Sequence, residues 1–114
     1  MAPIRLKCNI DYISVLKKAN KQQRNAILKT ANRDLILCLC ECALNTLNGN
    51  IPLKNTDLQK LERHKKPLRK LADNSTKISD KQSLLIQKGG FLPALLSPIL
   101  AILGQILVNE ISKK

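Results

Sequence analysis

Residues 91–108 form an unbroken run of 18 residues without a charge, in a chain whose formal net charge is +12. As a helix that run would be about 27 Å long, close to a bilayer core of roughly 30 Å. Pro93, Ser97, Pro98, Gly104 and Gln105 interrupt it. Pro93 suits a first helical turn, and Pro98 should bend the start of the helix. Ser97, Ala101, Gly104, Gln105, Asn109 and Ser112 fall near one face, opposite a wall of Leu and Ile. Three placements compete for this segment. It packs into the rest of the chain as a core helix. It lies in or inserts into a membrane interface, anchored by Lys113 and Lys114. Or it associates with copies of itself through the small-residue face. A bare apolar wall of this size would be an aggregation liability. The candidate membrane- or partner-binding residues are therefore Phe91, Leu92, Leu95, Leu96, Ile99, Leu100, Ile102, Leu103, Ile106 and Leu107.

The preceding residues repeat their apolar positions at helical spacing. One Phe, one Tyr and no Trp occur among 114 residues, yet 44% of the chain is hydrophobic. The apolar content is mostly Leu, Ile and Ala, which suits small helical cores and argues against an aromatic-cored β-sandwich. Ile10, Ile13, Val15 and Leu16 mark a short amphipathic helix ending near Ala19. Asn20 is placed to cap a second helix beginning near Lys21. Its stripe runs through Ala26, Ile27, Ala31, Leu35, Leu39, Cys42 and Leu47, with a break expected near Asn32 and an end at Asn45 and Gly49. A third helix is expected behind a cap at Asn55 or Thr56, with Leu58, Leu61, Leu68 and Leu71 inward and Pro67 kinking or splitting it. Residues 73–76 read as a turn. Ser79 followed by Gln82 is a capping-box pattern, and Gly89-Gly90 ends the last short helix. The expectation is an all-α fold. A three- to four-helix basic domain spans residues 1–88, opening on an extended arm over 1–9. A Gly-Gly hinge and apolar helix span 89–114.

Lys and Arg number 20 against 8 Asp and Glu, and no stretch of the chain is acidic. A charge above the roughly 2–8 common for small domains points to polyanions, either nucleic acid or anionic membrane. Five of the eight residues 63–70 are basic. Arg63, Lys65, Lys66, Arg69 and Lys70 are the candidate phosphate contacts, helped by Arg24, Lys29 and Arg33. Scarce aromatics argue against base stacking, so binding is expected to be backbone-directed, non-specific and salt-dependent. The same cluster suits an import signal.

No catalytic constellation stands out, so no enzyme activity and no cofactor are expected. His64, between Arg63 and Lys65, reads as a solvated surface residue. Cys38, Cys40 and Cys42 lie in an apolar run, with Cys38 and Cys42 on one helical face. They read as reduced core residues of an intracellular protein, with no metal site expected.

Residues Lys88-Gly89-Gly90-Phe91-Leu92-Pro93-Ala94-Leu95-Leu96 and Pro98-Ile99-Leu100-Ala101-Ile102-Leu103-Gly104 resemble the tail of adenovirus core protein X, the precursor of mu. The whole chain is similar to small proteins of adintoviruses and Polinton (Maverick) elements. The resemblance implies a virion protein that meets double-stranded genomic DNA, found in the virion and host nucleus. It also implies a viral cysteine protease as partner, cutting around Gly89, Gly90 and Phe91, and a tail that docks on a membrane or a capsid protein. Two other readings stay open: a membrane-active accessory protein acting on anionic lipid, and a small helix-turn-helix DNA- or partner-binding regulator.

Overall fold

The computed structural model of the chain describes residues 8–112, with side chains described to residue 102. Helix follows helix, with no strand among the described residues. The order is α1 (Ile10–Lys18), α2 (Lys21–Lys29), α3 (Arg33–Leu47), α4 (Asn55–Arg63), α5 (Lys65–Ala72), α6 (Ile78–Lys88), a 3₁₀ turn (Gly89–Phe91) and α7 (Leu92–Ser112). The chain is all-α with an apolar C-terminal helix, as its composition and periodicity lead one to expect. The arm expected at the N-terminus falls mostly on residues 1–7, outside the described residues.

Local chemistry sets most of the boundaries. Asn20 Oδ1 accepts from the Gln23 N–H at 2.8 Å, and Gln23 Oε1 accepts from the Asn20 N–H at 3.1 Å. That reciprocal pair is a capping box and starts α2. Asn32 Oδ1 accepts from the Leu35 N–H at 2.9 Å and starts α3, so the long stripe does break where expected. At the end of α3 the Asn50 N–H donates to Asn45 O, and the Gly49 N–H donates to Thr46 O. Gly49 has φ +75°. This is a Schellman closure, which favours glycine at its left-handed position.

Two expected caps are corrected. Helix α4 begins at Asn55 with Lys54 at the cap position and no side-chain cap bond, so Asn55 and Thr56 lie inside its first turn. Helix α6 begins at Ile78 with Lys77 at its cap position, again without a side-chain cap bond. Gln82 does not reach back to Ser79; its Nε2 donates to Leu28 O at 2.7 Å. Leu28 belongs to the last turn of α2, whose carbonyls have no partner within the helix, so the tertiary bond outcompetes the local one. Pro67 splits the third expected helix as foreseen. The chain turns at His64, and Pro67 sits in the first turn of α5, where no backbone donor is needed.

Helix α3 is the centre. Leu35, Ile36, Cys38, Leu39, Cys40, Cys42 and Ala43 are all buried, a broad face that leaves Leu44 exposed on the other side. Helices α5, α6 and α7 pack against it. Helix α7 also covers α1 and α4, and α2 lies on α6.

The division expected at residue 88 does not coincide with a division of the core. Phe91, Leu92, Ala94, Leu95, Leu96 and Ile99 are buried in one cluster with Ile13, Leu16, Leu39 and Leu71. Leu100 and Ile102 pack on its edge. The side chains of Leu103, Ile106 and Leu107 lie outside those described. The physical reason is the small size of the unit: without the first turns of α7, the inner faces of α1 and α4 would stand bare.

Candidate nucleic-acid interface

Helix α5 is short and strongly two-sided. Leu68 and Leu71 are buried, whereas Lys65, Lys66, Arg69 and Lys70 are exposed. Lys66, Arg69 and Lys70 are spaced i, i+3, i+4 and so share one face. That face looks across to α6. Between the two helices runs a cleft of about 490 Å³ with Lys66, Arg69, Lys70 and Lys88 around Pro67 and Leu84. Past Lys70 and Leu84 it continues into a second hollow that reaches Ser75 and Lys77.

Lys77 and Lys88 were missed by sequence reasoning, because they stand outside the dense 63–70 cluster. A signal for them existed: Lys77, Leu84 and Lys88 are spaced by seven and four residues, which puts them on one side of α6.

Asp73 lines the cleft and Asp80 lines the second hollow. Asp73 Oδ1 accepts from the Ser75 N–H at 2.9 Å and from the Ser75 hydroxyl at 2.8 Å. The backbone bond first, and then the hydroxyl, hold this carboxyl below the usual carboxylate range. These bonds close the turn at 73–76 and keep Asp73 anionic, so its charge opposes an incoming phosphate.

The expected phosphate contacts do not all come together. Lys66, Arg69 and Lys70 line the cleft. Lys65 is exposed on the same helix, and Arg63 is exposed at the end of α4. Arg24 and Lys29 lie elsewhere, on α2. That helix meets α6 through Gln82, and Leu84 follows Gln82 by two residues, about 200° round the helix. The two flanks of α6 therefore separate α2 from the cleft. Arg33 is exposed at the start of α3, outside the cleft lining. Arg24 is half-buried against the 3₁₀ turn, where a Cβ at Gly89 would stand 3.2 Å from its Nε.

That turn bears on the expected cleavage site. Gly89 and Phe91 are buried and only Gly90 is exposed. Proteolytic nicking favours exposed loop tips, whereas this segment is a 3₁₀ turn with two of its three residues buried.

His64 is not the solvated residue expected. It is half-buried, its Nδ1 lies 2.9 Å from Lys60 O, and its ring stands 5.6 Å from that of Phe91, tilted by 42°. Phe91 arrives from across the fold, which local sequence does not show.

The cysteines of α3 are buried free thiols, whereas Cys8 is exposed. A hydrogen bond with Cys38, and then burial, push the Cys42 thiol far above its usual range. Burial pushes the Cys40 thiol up, against the opposing pull of the Lys81 ammonium. Lys81 is itself buried, at 4% exposure. Among the described residues, no three His, Cys, Asp or Glu side chains are grouped to hold a metal ion.

By length and composition, Ile78–Ile102 would suffice to cross a membrane, but 44% of its apolar window is buried within the protein. No protein-family model, curated protein or solved structure matches this chain.

Proposed function

We propose that this is a non-enzymatic, DNA-binding protein that holds double-stranded DNA through its phosphates, without sequence preference. The observation that carries the reading is the basic α5–α6 face. Lys66, Arg69, Lys70 and Lys88 surround one cleft and outnumber its single carboxylate, Asp73, four to one. A cationic surface of this kind attracts phosphates by charge and releases their counterions. Its contacts fix position on the duplex and carry no base information. The placement of such an activity in a virion core rests on the resemblance of residues 88–104 to adenovirus core protein X alone.

The membrane-active reading has less support, because Phe91, Leu92, Leu95, Leu96 and Ile99 are already occupied in the core. The same occupation takes these residues out of a capsid-docking role.

The test is retention of a duplex of random sequence at low ionic strength. The native chain should hold it, and a Lys66→Glu/Lys70→Glu variant with native helicity should lose at least about tenfold in affinity. No retention by the native chain at low salt sinks the reading. Strong preference for one sequence would instead favour the regulator alternative.

A further inference from the structure

The α5–α6 cleft differs from an ordinary basic patch in having an apolar floor. Pro67 and Leu84 line it together with Lys66, Arg69, Lys70 and Lys88 and the Asp73 carboxylate. A duplex keeps its base faces stacked and paired inside, and offers a surface patch mainly its sugar-phosphate ridges and groove edges. Phosphate placed on Leu and Pro would lose water and gain no partner there. An unpaired nucleotide has the matching distribution, with a flat, weakly polar base joined to an anionic phosphate.

We infer that this cleft seats an unpaired nucleotide of a DNA strand, its base against Pro67 and Leu84 and its phosphate between Lys66, Lys70 and Lys88. The inference rests on the phosphate-binding reading above and adds the form of nucleic acid that the site prefers. The cleft continues beside Lys70 towards Lys77, with Asp80 in the same hollow, so a flanking phosphate meets two lysines and one carboxylate there. The aromatic-poor composition does not oppose this seat, because the floor is made by a proline ring and a leucine from two different helices.

The experiment compares a mixed-sequence single-stranded DNA oligonucleotide with its own duplex by fluorescence anisotropy, at one low salt concentration, on the full chain. The single strand should bind more tightly by about fivefold, the order expected for covering a modest apolar area. Leu84→Ser should remove that advantage. Leu84→Tyr should enlarge it, since a base stacks well on an aromatic ring. The tyrosine variant decides the matter if the serine variant loses its helicity. Equal affinity for the two forms, with both Leu84 variants silent, overturns the inference and leaves the phosphate reading standing. Binding of neither form overturns both. Displacement of the single strand by phosphatidylserine vesicles, with no reciprocal displacement, also overturns it, because the cleft would then be a lipid seat.

Discussion

Single side chains in this fold are set by what surrounds them after folding. Asp73 and Cys42 show it in opposite directions. Asp73 accepts two hydrogen bonds from Ser75, and its carboxyl is held below the usual range. A carboxylate depressed in the folded state stabilises the fold above the ordinary carboxylate range, and that contribution is lost as pH falls through the depressed value. Ser75→Ala removes the hydroxyl bond and keeps the backbone one. The Asp73 titration, followed by NMR, should therefore move up towards the ordinary carboxylate position without reaching it; an unmoved titration would refute the assignment. The thiols give the second residue-level prediction. Burial and a thiol partner raise Cys42, and burial raises Cys40, and raised, covered thiols are inert. Cys38 is equally enclosed, whereas Cys8 is exposed. A disulfide reagent such as DTNB should titrate one thiol of the native chain at once and all four in denaturant. Rapid reaction of more than one thiol in the native protein would mean that α3 is not enclosed as described.

Among the elements, α7 decides whether the rest holds together. Its first turns contribute Leu92, Leu95, Leu96 and Ile99, and the 3₁₀ turn before it Phe91, to the core shared with α1 and α3. Leu95→Ala should cost about 2–5 kcal/mol, the usual range for emptying a buried leucine site. A chain ending at residue 88 should lose cooperative unfolding altogether, as read by circular dichroism during a urea titration. A stable, cooperatively melting 1–88 fragment would restore the detachable-tail view. The helices themselves were largely legible in the sequence, and for a clear reason. Asn20 with Gln23 and Asn32 with Leu35 are contacts three residues apart, and the α3 stripe is periodic, so chemistry and pattern agree within a few turns. What sequence reasoning could not resolve was competition with distant partners. Ser79 and Gln82 have the spacing of a cap, but the helix starts before Ser79 and the Gln82 amide donates to Leu28 O instead. Gly89-Gly90 has the composition of a hinge, but Arg24 and Leu92 close round Gly89 and the chain continues almost directly into α7. Uncharged composition alone did not distinguish a membrane helix from a core helix, because both are made of the same residues.

At the scale of the whole molecule, the positive charge is spread over the chain but the proposed site is one face of it. The dense cluster at 63–70 pointed to α5, and three of its residues do line the cleft. The contribution of α6 was hidden, because Lys77 and Lys88 join the site only through the packing of one helix beside another. Arg24 and Lys29 were grouped with them on charge alone, and the fold puts them on the other flank. This separation has a measurable consequence. Affinity for a polyanion falls with salt according to the number of phosphates neutralised together, with a slope of log K on log salt of about −0.9 per phosphate on duplex DNA. If all 20 basic residues acted at once, the slope would be very steep. Lys66, Arg69, Lys70, Lys77 and Lys88 on the α5–α6 face give roughly −4 to −5. Lys70→Ala should then make the slope shallower by about one, whereas Lys29→Ala should leave it unchanged. Lys29 is an apt control, being exposed at the end of α2 and remote from the core. Equal effects of the two substitutions would show that DNA contacts both flanks of α6, which would replace the single-face site with a chain that wraps its charge round the duplex.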